Sequence, residues 1–172
     1  MQNSLRANLE LGAQIIIAVA VLAVAGVIVQ RHVFPERSPY PNMPGITAGE
    51  RLNIADVDWK RSERSLVFFL SKNCYYCTSS APFYRQLTGA AVQRNVTLLA
   101  VLPDSPEEAK AYLQAIELPI EELHTGPLSS YKIAGTPTVL LVNTSGTVEK
   151  VWFGAATGRE NQILEEFLAL TD

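Results

Sequence analysis

Apolar and polar positions divide the chain into one long apolar segment near its start and a later region of short alternating elements. Residues 11–29 carry no charge and are interrupted only by Gln14 and small residues. A helix rises about 1.5 Å per residue, so this segment is just long enough to cross a hydrocarbon core of roughly 30 Å. We therefore predict a membrane anchor over residues 1–31, in contact with the lipid bilayer through residues 11–29.

A cleaved signal peptide is the main alternative for this segment, because Ala23-Val24-Ala25 fits the small-x-small cleavage pattern. The apolar run continues past that point to Val29, and the preceding region is only weakly basic, with Arg6 opposed by Glu10. A buried core helix is the third alternative, but it would normally show a polar face. We favour the retained anchor.

A proline- and glycine-rich stretch at residues 32–50 follows the apolar segment. This composition is typical of an extended, semi-rigid spacer. The later half of the stretch is equally compatible with a loop packed along a folded domain. We predict that the folded domain occupies residues 51–172.

Within that domain, the apolar runs predict strands and the 3.6-residue periodicity predicts helices. The predicted strands are residues 52–57, 65–70, 96–102, 120–125, 138–142 and 147–153. The predicted helices are residues 78–91, kinked at Pro82, then 104–118, a turn at 128–131 and a terminal helix. Capping boxes are expected at Ser105 with Glu108 and at Thr157 with Glu160. The continuous apolar run at 65–70 indicates a central strand. The order of elements predicts an α/β fold, a mixed sheet with helices on both faces.

Charge excludes one class of function. The net charge is −3, the charged fraction is 18%, and no run of lysine and arginine with interleaved aromatic residues occurs. We therefore expect no nucleic-acid partner.

Candidate chemistry lies in the only two cysteines, Cys74 and Cys77, which form a CxxC motif between a predicted strand and a predicted helix. Two such thiols can close into a disulfide and reopen. The unpaired N–H groups at a helix start carry partial positive charge, which favours the nucleophilic thiolate. We predict that Cys74 attacks and that Cys77, one turn further on, resolves the mixed disulfide.

Metal binding and an inert structural role are the alternatives for this cysteine pair. Zinc normally needs four ligands. The only histidines, His32 and His124, are not spaced to complete a site. A CxxC motif between a strand and a helix is typical of redox proteins. We therefore expect neither a bound metal ion nor a cofactor.

A second motif, Gly135-Thr136-Pro137-Thr138, directly precedes the predicted hairpin. Proline cannot donate a ladder hydrogen bond, so it marks a strand start or an edge. A cis Thr136–Pro137 bond would leave the Thr136 backbone free to pair with an extended substrate chain. From these residues alone an ordinary trans turn is favoured, because only about 5–6% of X–Pro bonds in folded proteins are cis.

From residue 66 to the C-terminus the chain resembles the thioredoxin-fold proteins. More narrowly, it resembles the membrane-anchored thiol-disulfide oxidoreductases of the TlpA/ResA type. The shared features are the CxxC motif after an apolar strand, Pro82 in the next helix, the Thr136-Pro137 loop, and the inserted strand and helix at 96–118. The resemblance implies a cis Thr136–Pro137 bond that faces the disulfide, with Cys74 as the exposed nucleophile.

The resemblance also implies partners: protein substrates that contain disulfides or thiols, and a membrane-bound thiol donor. We expect Tyr75, Tyr76, Thr136 and Pro137 to contact the substrate. The implied role is that of a reductant, as in cytochrome maturation. The alternatives are a disulfide-forming oxidant, and a non-catalytic binding or copper-handling module, for which His124 is the only histidine in the domain.

The chain departs from these families near the second cysteine. Phe68 and Ser80 occupy the two positions at which family members carry a carboxylate. A carboxylate there would accept the proton of the resolving thiol. Without it, we expect either water or another acid, Asp56 or Asp58, to serve Cys77.

The expected location is the membrane, with a single span and the catalytic domain on the extracytoplasmic, periplasmic face. The basic residues that flank the apolar segment do not fix this orientation. The inference comes from chemistry, because disulfides persist where cytosolic reductants are absent.

Overall fold

The computed structural model describes Gln14 and residues 45–172 of the chain. None of the helices among these residues is long and apolar enough to cross a bilayer. The predicted anchor at 1–31, apart from Gln14, and residues 32–44 of the predicted spacer lie outside the described residues. The boundaries of the anchor and the spacer therefore stay predictions.

Strands and helices alternate through residues 45–172. The strands are β1 (Arg64–Phe69), β2 (Thr97–Leu102), β3 (Glu122–Thr125), β4 (Thr138–Asn143) and β5 (Val148–Phe153). The α-helices are α1 (Tyr75–Ser79), α2 (Ala81–Gln93), α3 (Pro106–Ala115) and α4 (Glu160–Thr171). Two short 3-10 helices occupy Trp59–Arg61 and Leu128–Tyr131.

The strands form one mixed sheet in the order β3-β2-β1-β4-β5. Strand β1 is parallel to β2 and antiparallel to β4. Leu66 and Phe68 of β1 point to one face of the sheet, Val67 and Phe69 point to the other, and all four are fully buried. Burial on both faces explains why this run does not alternate with polar residues, and it confirms the predicted central strand.

The two faces of the sheet are covered in different ways. On one face, Leu66 and Phe68 pack with buried residues of α2, α3 and α4. On the other face, Val67 and Phe69 pack with residues of the segment 46–59 and of the 3-10 helix at 128–131. The prediction of helices on both faces is corrected here: within residues 45–172, irregular chain and 3-10 helix cover the second face. The apolar residues of segment 46–59 are too irregularly spaced to line one side of an α-helix.

One of the two predicted capping boxes is present. Ser105 Oγ accepts a hydrogen bond from the Glu108 N–H at 3.4 Å, and a Glu108 carboxylate oxygen accepts one from the Ser105 N–H at 3.3 Å. The predicted box at Thr157 and Glu160 is wrong, because Arg159 is the N-cap of α4 and makes no side-chain capping bond. Gly158, with a φ of +80°, turns the chain between the two expected partners.

The predicted edge strand at residues 52–57 is also wrong. Only an isolated bridge forms in this region, between Arg51 and Thr147. Asp56 has a φ of 61°, which turns the chain away from an extended course. The break in the helix after the cysteines lies at Ser80, between α1 and α2, and Pro82 sits in the first turn of α2, where its missing N–H costs no hydrogen bond.

Candidate active site

The first cysteine lies at the start of α1, just beyond the end of β1. Cys74 is the N-cap residue of this helix, and its Sγ accepts a hydrogen bond from the Cys77 N–H at 3.3 Å. The Cys74 N–H in turn donates to the Ser71 carbonyl at 3.1 Å. The turn therefore fixes the Cys74 sulfur at the N-terminal end of α1, beside the edge of the sheet where β1 ends.

The two sulfurs have different environments. Both cysteines are free thiols, Cys74 half-buried and Cys77 buried with 0% exposure. Burial raises the pKa of the Cys77 thiol to about 12, and its hydrogen bond with Cys74 acts in the same direction. Cys77 therefore holds its proton at neutral pH, whereas Cys74 is open to a visiting molecule.

The Thr136-Pro137 loop lies directly against the Cys74 sulfur. The Thr136–Pro137 peptide bond is cis, as the resemblance implied. The Cys74 thiol donates a hydrogen bond to the Thr136 carbonyl at 3.3 Å. Thr136 is half-buried and Pro137 is buried. The two motifs, 62 residues apart in sequence, thus form one site.

Hydrogen bonds on either side hold this loop in place. Thr138 Oγ1 donates to the Gly135 carbonyl at 2.7 Å, and the Gly154 N–H donates to the Pro137 carbonyl at 2.8 Å. A Cβ on Gly135 would lie 3.4 Å from the ring of Phe153. Glycine therefore lets the aromatic ring pack closely against the loop that faces Cys74.

Two tyrosines form the exposed surface next to the first cysteine. Tyr75 is 77% exposed and Tyr76 is 58% exposed. Their rings contact each other edge-to-face, with centroids 5.5 Å apart. The two rings therefore form a small exposed aromatic surface beside Cys74.

The interior beside Cys77 contains aromatic and hydroxyl groups where the related families carry acids. Phe68 packs edge-to-face on the Tyr84 ring with centroids 5.5 Å apart. Ser80 is buried, and its Oγ accepts a hydrogen bond from the Ala156 N–H at 3.2 Å. Burial raises the pKa of Tyr84, so its phenol stays neutral. Neither of these two sequence positions provides a proton acceptor for Cys77.

Of the two proton acceptors expected for Cys77, water or a nearby acid, the second is wrong as far as Asp56 and Asp58 are concerned. Both line a surface cavity together with Arg61, Glu121 and Glu122. Glu122 is the first residue of β3, which runs parallel to β2 and hence to β1. The two aspartates therefore lie at the edge of the sheet where these strands begin, whereas Cys74 follows the end of β1.

Sequence reasoning missed a set of contacts between the redox segment and α3. The Lys72 ammonium forms an ion pair with Glu108, and the Lys72 N–H donates to Asp104 Oδ2 at 3.2 Å. Beyond the cysteines, the Thr78 and Tyr112 hydroxyls lie 3.2 Å apart. The order of the strands could have predicted these contacts. Neighbouring parallel strands place the loops that follow them at the same edge of the sheet.

Metal ligands are not gathered around the cysteines. His124 Nε2 lies 3.5 Å from Oε1 of Glu122, one of the residues that line the surface cavity of Asp56 and Asp58. Among residues 45–172, no group of three or more histidine, cysteine, aspartate or glutamate side chains could hold a metal ion. His32 lies outside the described residues.

Comparison of the fold with solved structures gives a consistent group of structural neighbours. The thioredoxin domain of a thiol-disulfide oxidoreductase from Bacteroides vulgatus is 17% identical, with a TM-score of 0.60, and the match covers 74% of this chain and 99% of that chain. A thioredoxin-family thiol:disulfide interchange protein from Chlorobium tepidum is 16% identical, with a TM-score of 0.55 and coverage of 73% and 97%. A secreted Mycobacterium tuberculosis disulfide oxidoreductase, homologous to Escherichia coli DsbE, is 14% identical, with a TM-score of 0.52 and coverage of 64% and 84%.

At these identities the structural likeness establishes the fold, which is thioredoxin-like. No curated protein sequence matches the chain significantly. A family model does match: that of the AhpC/TSA family, over residues 40–151. The chain therefore belongs to the AhpC/TSA family and has the thioredoxin-like fold of thiol-disulfide oxidoreductases.

Proposed function

We propose that this protein exchanges thiols and disulfides with protein substrates through Cys74 and Cys77. One observation carries the proposal: the half-buried Cys74 sulfur lies 3.3 Å from the Thr136 carbonyl, in the loop that contains the cis bond to Pro137. Cys77 lies buried one helical turn away. The family and the fold support thiol-disulfide exchange in general.

The reaction begins at Cys74. Its thiolate attacks one sulfur of a substrate disulfide, a bond forms between Cys74 and that sulfur, and the other substrate sulfur leaves with the electron pair and takes up a proton. Cys77 then loses its proton and attacks the Cys74 sulfur, which releases the second substrate thiol. The enzyme dithiol and one substrate disulfide thus become an enzyme disulfide and two substrate thiols.

Deprotonation of Cys77 is the demanding step, because burial raises the pKa of its thiol to about 12. Phe68 and Ser80 offer no carboxylate, so we assign the role of proton acceptor to water that enters with the substrate. With water as the acceptor, we expect Cys77 to attack the mixed disulfide more slowly than in relatives that carry a buried acid near the second cysteine.

Substrate contacts follow from the surface around the first cysteine. An extended substrate segment can pair with the backbone of Thr136, as in strand addition to a sheet edge, with Pro137 shaping the loop. The exposed rings of Tyr75 and Tyr76 offer apolar contact to side chains that flank the substrate cysteine. A disulfide held by these contacts would lie close to the Cys74 sulfur.

Our proposal includes a specific setting, that of the TlpA/ResA-type reductants. Residues 11–29 would anchor the chain in the membrane, and the catalytic domain would lie on the extracytoplasmic, periplasmic face. A membrane-bound thiol donor would restore the dithiol, and the clients would be disulfide-bearing proteins, as in cytochrome maturation. The length and apolar character of residues 11–29 support this setting, as does the persistence of disulfides outside the cytosol. The structurally similar M. tuberculosis protein is secreted.

Two isosteric variants of the full chain, purified in mild detergent, test the proposed chemistry. Cys74→Ser should abolish the reduction of insulin disulfides, because no attacking sulfur remains. Cys77→Ser should instead accumulate a mixed disulfide between Cys74 and insulin, visible on a non-reducing gel. Each variant is the control for the other, and the proposal fails if both retain the turnover of the parent protein.

The direction of electron flow needs a separate measurement. A reductant is more stable with its cysteines oxidised, whereas a strong oxidant is more stable when reduced. We expect denaturant unfolding to give the higher free energy of unfolding for the oxidised protein. A more stable reduced form would instead favour the alternative, a disulfide-forming oxidant.

A further inference from the structure

We propose that Glu108, together with Asp104, neutralises the charge of Lys72 and thereby limits the reactivity of the Cys74 sulfur. The inference rests on the proposed exchange function of Cys74 and adds an electrostatic control to it. Lys72, Asp104 and Glu108 act as positioning and tuning residues, because none of them is assigned a contact with the reacting sulfurs.

Geometry places this cluster at the rim of the active site. Lys72 lies two residues before Cys74, in the loop between β1 and α1. Its ammonium forms an ion pair with Glu108, and its backbone N–H donates to Asp104 Oδ2 at 3.2 Å. The cluster therefore joins the loop that presents the nucleophile to the start of α3.

The carboxylate of Glu108 is held in position by its own helix. Both its backbone N–H and its carboxylate bond to Ser105 in the capping box. Hydrogen bonds from Lys72 and then Ser105 hold the pKa of Glu108 below its usual value, so it is charged at neutral pH. The ammonium of Lys72 is likewise kept charged, because its hydrogen bond to Glu108 raises its pKa.

A free cation beside a thiol favours the thiolate, which is the nucleophile in disulfide exchange. The Cα atoms of Lys72 and Cys74 lie at most about 7 Å apart, so the charged cluster belongs to the loop that carries the Cys74 sulfur. Physiological salt screens charge over roughly 8–10 Å. Lys72 contributes one positive charge to this rim, and Asp104 and Glu108 contribute two negative charges. The carboxylates therefore cancel an attraction that the lysine alone would exert on the Cys74 thiolate.

This balance also affects the redox equilibrium with glutathione. Enzyme dithiol and glutathione disulfide give enzyme disulfide and two molecules of glutathione, so no further reactant is needed. Stabilising the Cys74 thiolate favours the reduced enzyme and makes the pair more oxidising. A change in charge at the rim that stabilises the Cys74 thiolate should therefore raise both the rate of Cys74 alkylation and the proportion of reduced enzyme at equilibrium with glutathione.

Three variants of the full chain separate charge from structure. Glu108→Gln keeps a residue that supports the capping box but leaves Lys72 less neutralised. We expect the rate of Cys74 alkylation by iodoacetamide at pH 7 to rise about twofold to fivefold, and the equilibrium with glutathione to move towards the reduced enzyme. Lys72→Met should shift both quantities in the opposite direction. The double variant restores the local charge and should lie within twofold of wild type.

The remote ion pair of Arg64 and Glu149, whose atoms lie 2.8 Å apart, provides the control. Arg64 begins β1, so it lies about 17 Å or more from the end of that strand, well beyond the screening length. Glu149→Gln also removes one negative charge and one ion pair, yet it should leave both readouts unchanged. In about 1 M salt the effects of the Lys72 and Glu108 variants should shrink, because the screening length falls to about 3 Å.

Shifts of the same sign in Lys72→Met and Glu108→Gln would overturn the proposal. Both variants break the same ion pair, so such a result would mean that the pair acts through the structure of the loop and not through its charge. Unchanged readouts in both variants would overturn it as well. These outcomes are distinct from failure of the proposed function, which would appear as an absence of Cys74-dependent insulin reduction in the wild-type protein. Circular dichroism on each variant confirms that the fold is kept.

Discussion

The surface around Cys74 and the interior around Cys77 differ sharply although the two sulfurs lie only one helical turn apart. Around Cys74, the rings of Tyr75 and Tyr76 are exposed and the Thr136 carbonyl is within hydrogen-bonding distance. Around Cys77, the side chains are buried and include the fully packed ring of Tyr84. Cys74 is the N-cap residue of α1, whereas Cys77 lies within the first turn of that helix.

In the proposed exchange reaction the two thiols have different tasks, and this contrast separates them. An attacking sulfur has to be reached by a large substrate, so its surroundings contribute little packing. A resolving sulfur has to be kept from other reagents, so burial protects it and raises the pKa of its thiol to about 12. Substitutions on the interior side should therefore change stability, and those on the exposed side should change activity.

The largest expected effect is on the interior side. Tyr84→Ala removes a ring that is 1% exposed and packs against Phe68, and such cavities typically cost about 3–5 kcal/mol. Tyr76→Ala, on the exposed side, should change the free energy of unfolding by less than about 0.5 kcal/mol. Urea denaturation of both reduced variants measures the difference. Similar losses in the two variants would contradict the contrast between the two regions.

A smaller effect is expected at the position where relatives carry an acid. Ser80→Ala leaves the Ala156 N–H without its partner at 3.2 Å. A buried unsatisfied donor costs about 1–3 kcal/mol. Ser79→Ala, one residue earlier and exposed, is the matched control and should stay within about 0.5 kcal/mol of wild type. Equal stability of the two variants in urea would mean that the Ser80 hydroxyl has no structural role.

The buried thiol also predicts a pH dependence of stability. The pKa of Cys77 is about 12 in the fold against an ordinary value of 9.0, so the unfolded chain loses this proton first as the pH rises. The reduced protein should therefore lose stability above pH 9, with a slope from this group that approaches 1.4 kcal/mol per pH unit. Below pH 9 the contribution is complete.

Cys77→Ala isolates the contribution of this thiol to the pH dependence. All other titratable groups are present in both proteins, so the difference in stability between the two proteins reports the ionisation of Cys77. We expect the gap in stability between reduced wild type and Cys77→Ala to narrow from pH 8.5 to pH 10. A constant gap in urea titrations at these pH values would show that Cys77 ionises equally in the folded and unfolded chains.

The smallest expected effect is on the exposed side and is kinetic. Removing either aromatic ring, in Tyr75→Ala or Tyr76→Ala, should lower kcat/KM for insulin about threefold to tenfold, in line with the 0.5–1.5 kcal/mol typical of aromatic contacts. Reduction of oxidised glutathione, which is too small to span both rings, should change less. Val92→Ala, 64% exposed on α2, is the control for loss of apolar surface elsewhere. A loss in this control as large as in the tyrosine variants would exclude a specific contact.

Much of the fold could be predicted from local sequence, because β1, β2 and β4 are short apolar runs. Strand β1 was predicted within one residue at each end, and the capping box of Ser105 and Glu108 was read from their spacing. The cis state of the Thr136–Pro137 bond could not be predicted from the residues themselves. The residues alone favoured trans, and only the resemblance to thioredoxin-fold proteins implied cis.

Two of the failures share a physical cause, which is backbone geometry that residue patterns do not determine. The positive φ of Asp56 ended an expected strand, and that of Gly158 disrupted an expected cap. Contacts across long sequence separations were missed for a related reason. The pairing of Lys72 with Glu108 depends on the parallel arrangement of β1 and β2, which brings the loops after both strands to one edge.

Brief alkylation of the reduced, folded protein, followed by mass spectrometry of its peptides, compares the reactivity of the two sulfurs. We expect iodoacetamide to modify Cys74 within minutes and to leave Cys77 unmodified until the protein is unfolded in urea, where both react. Modification of Cys77 at the same rate as Cys74 in the folded protein, or before it, would contradict the assignment of a half-buried attacking sulfur and a fully buried resolving sulfur.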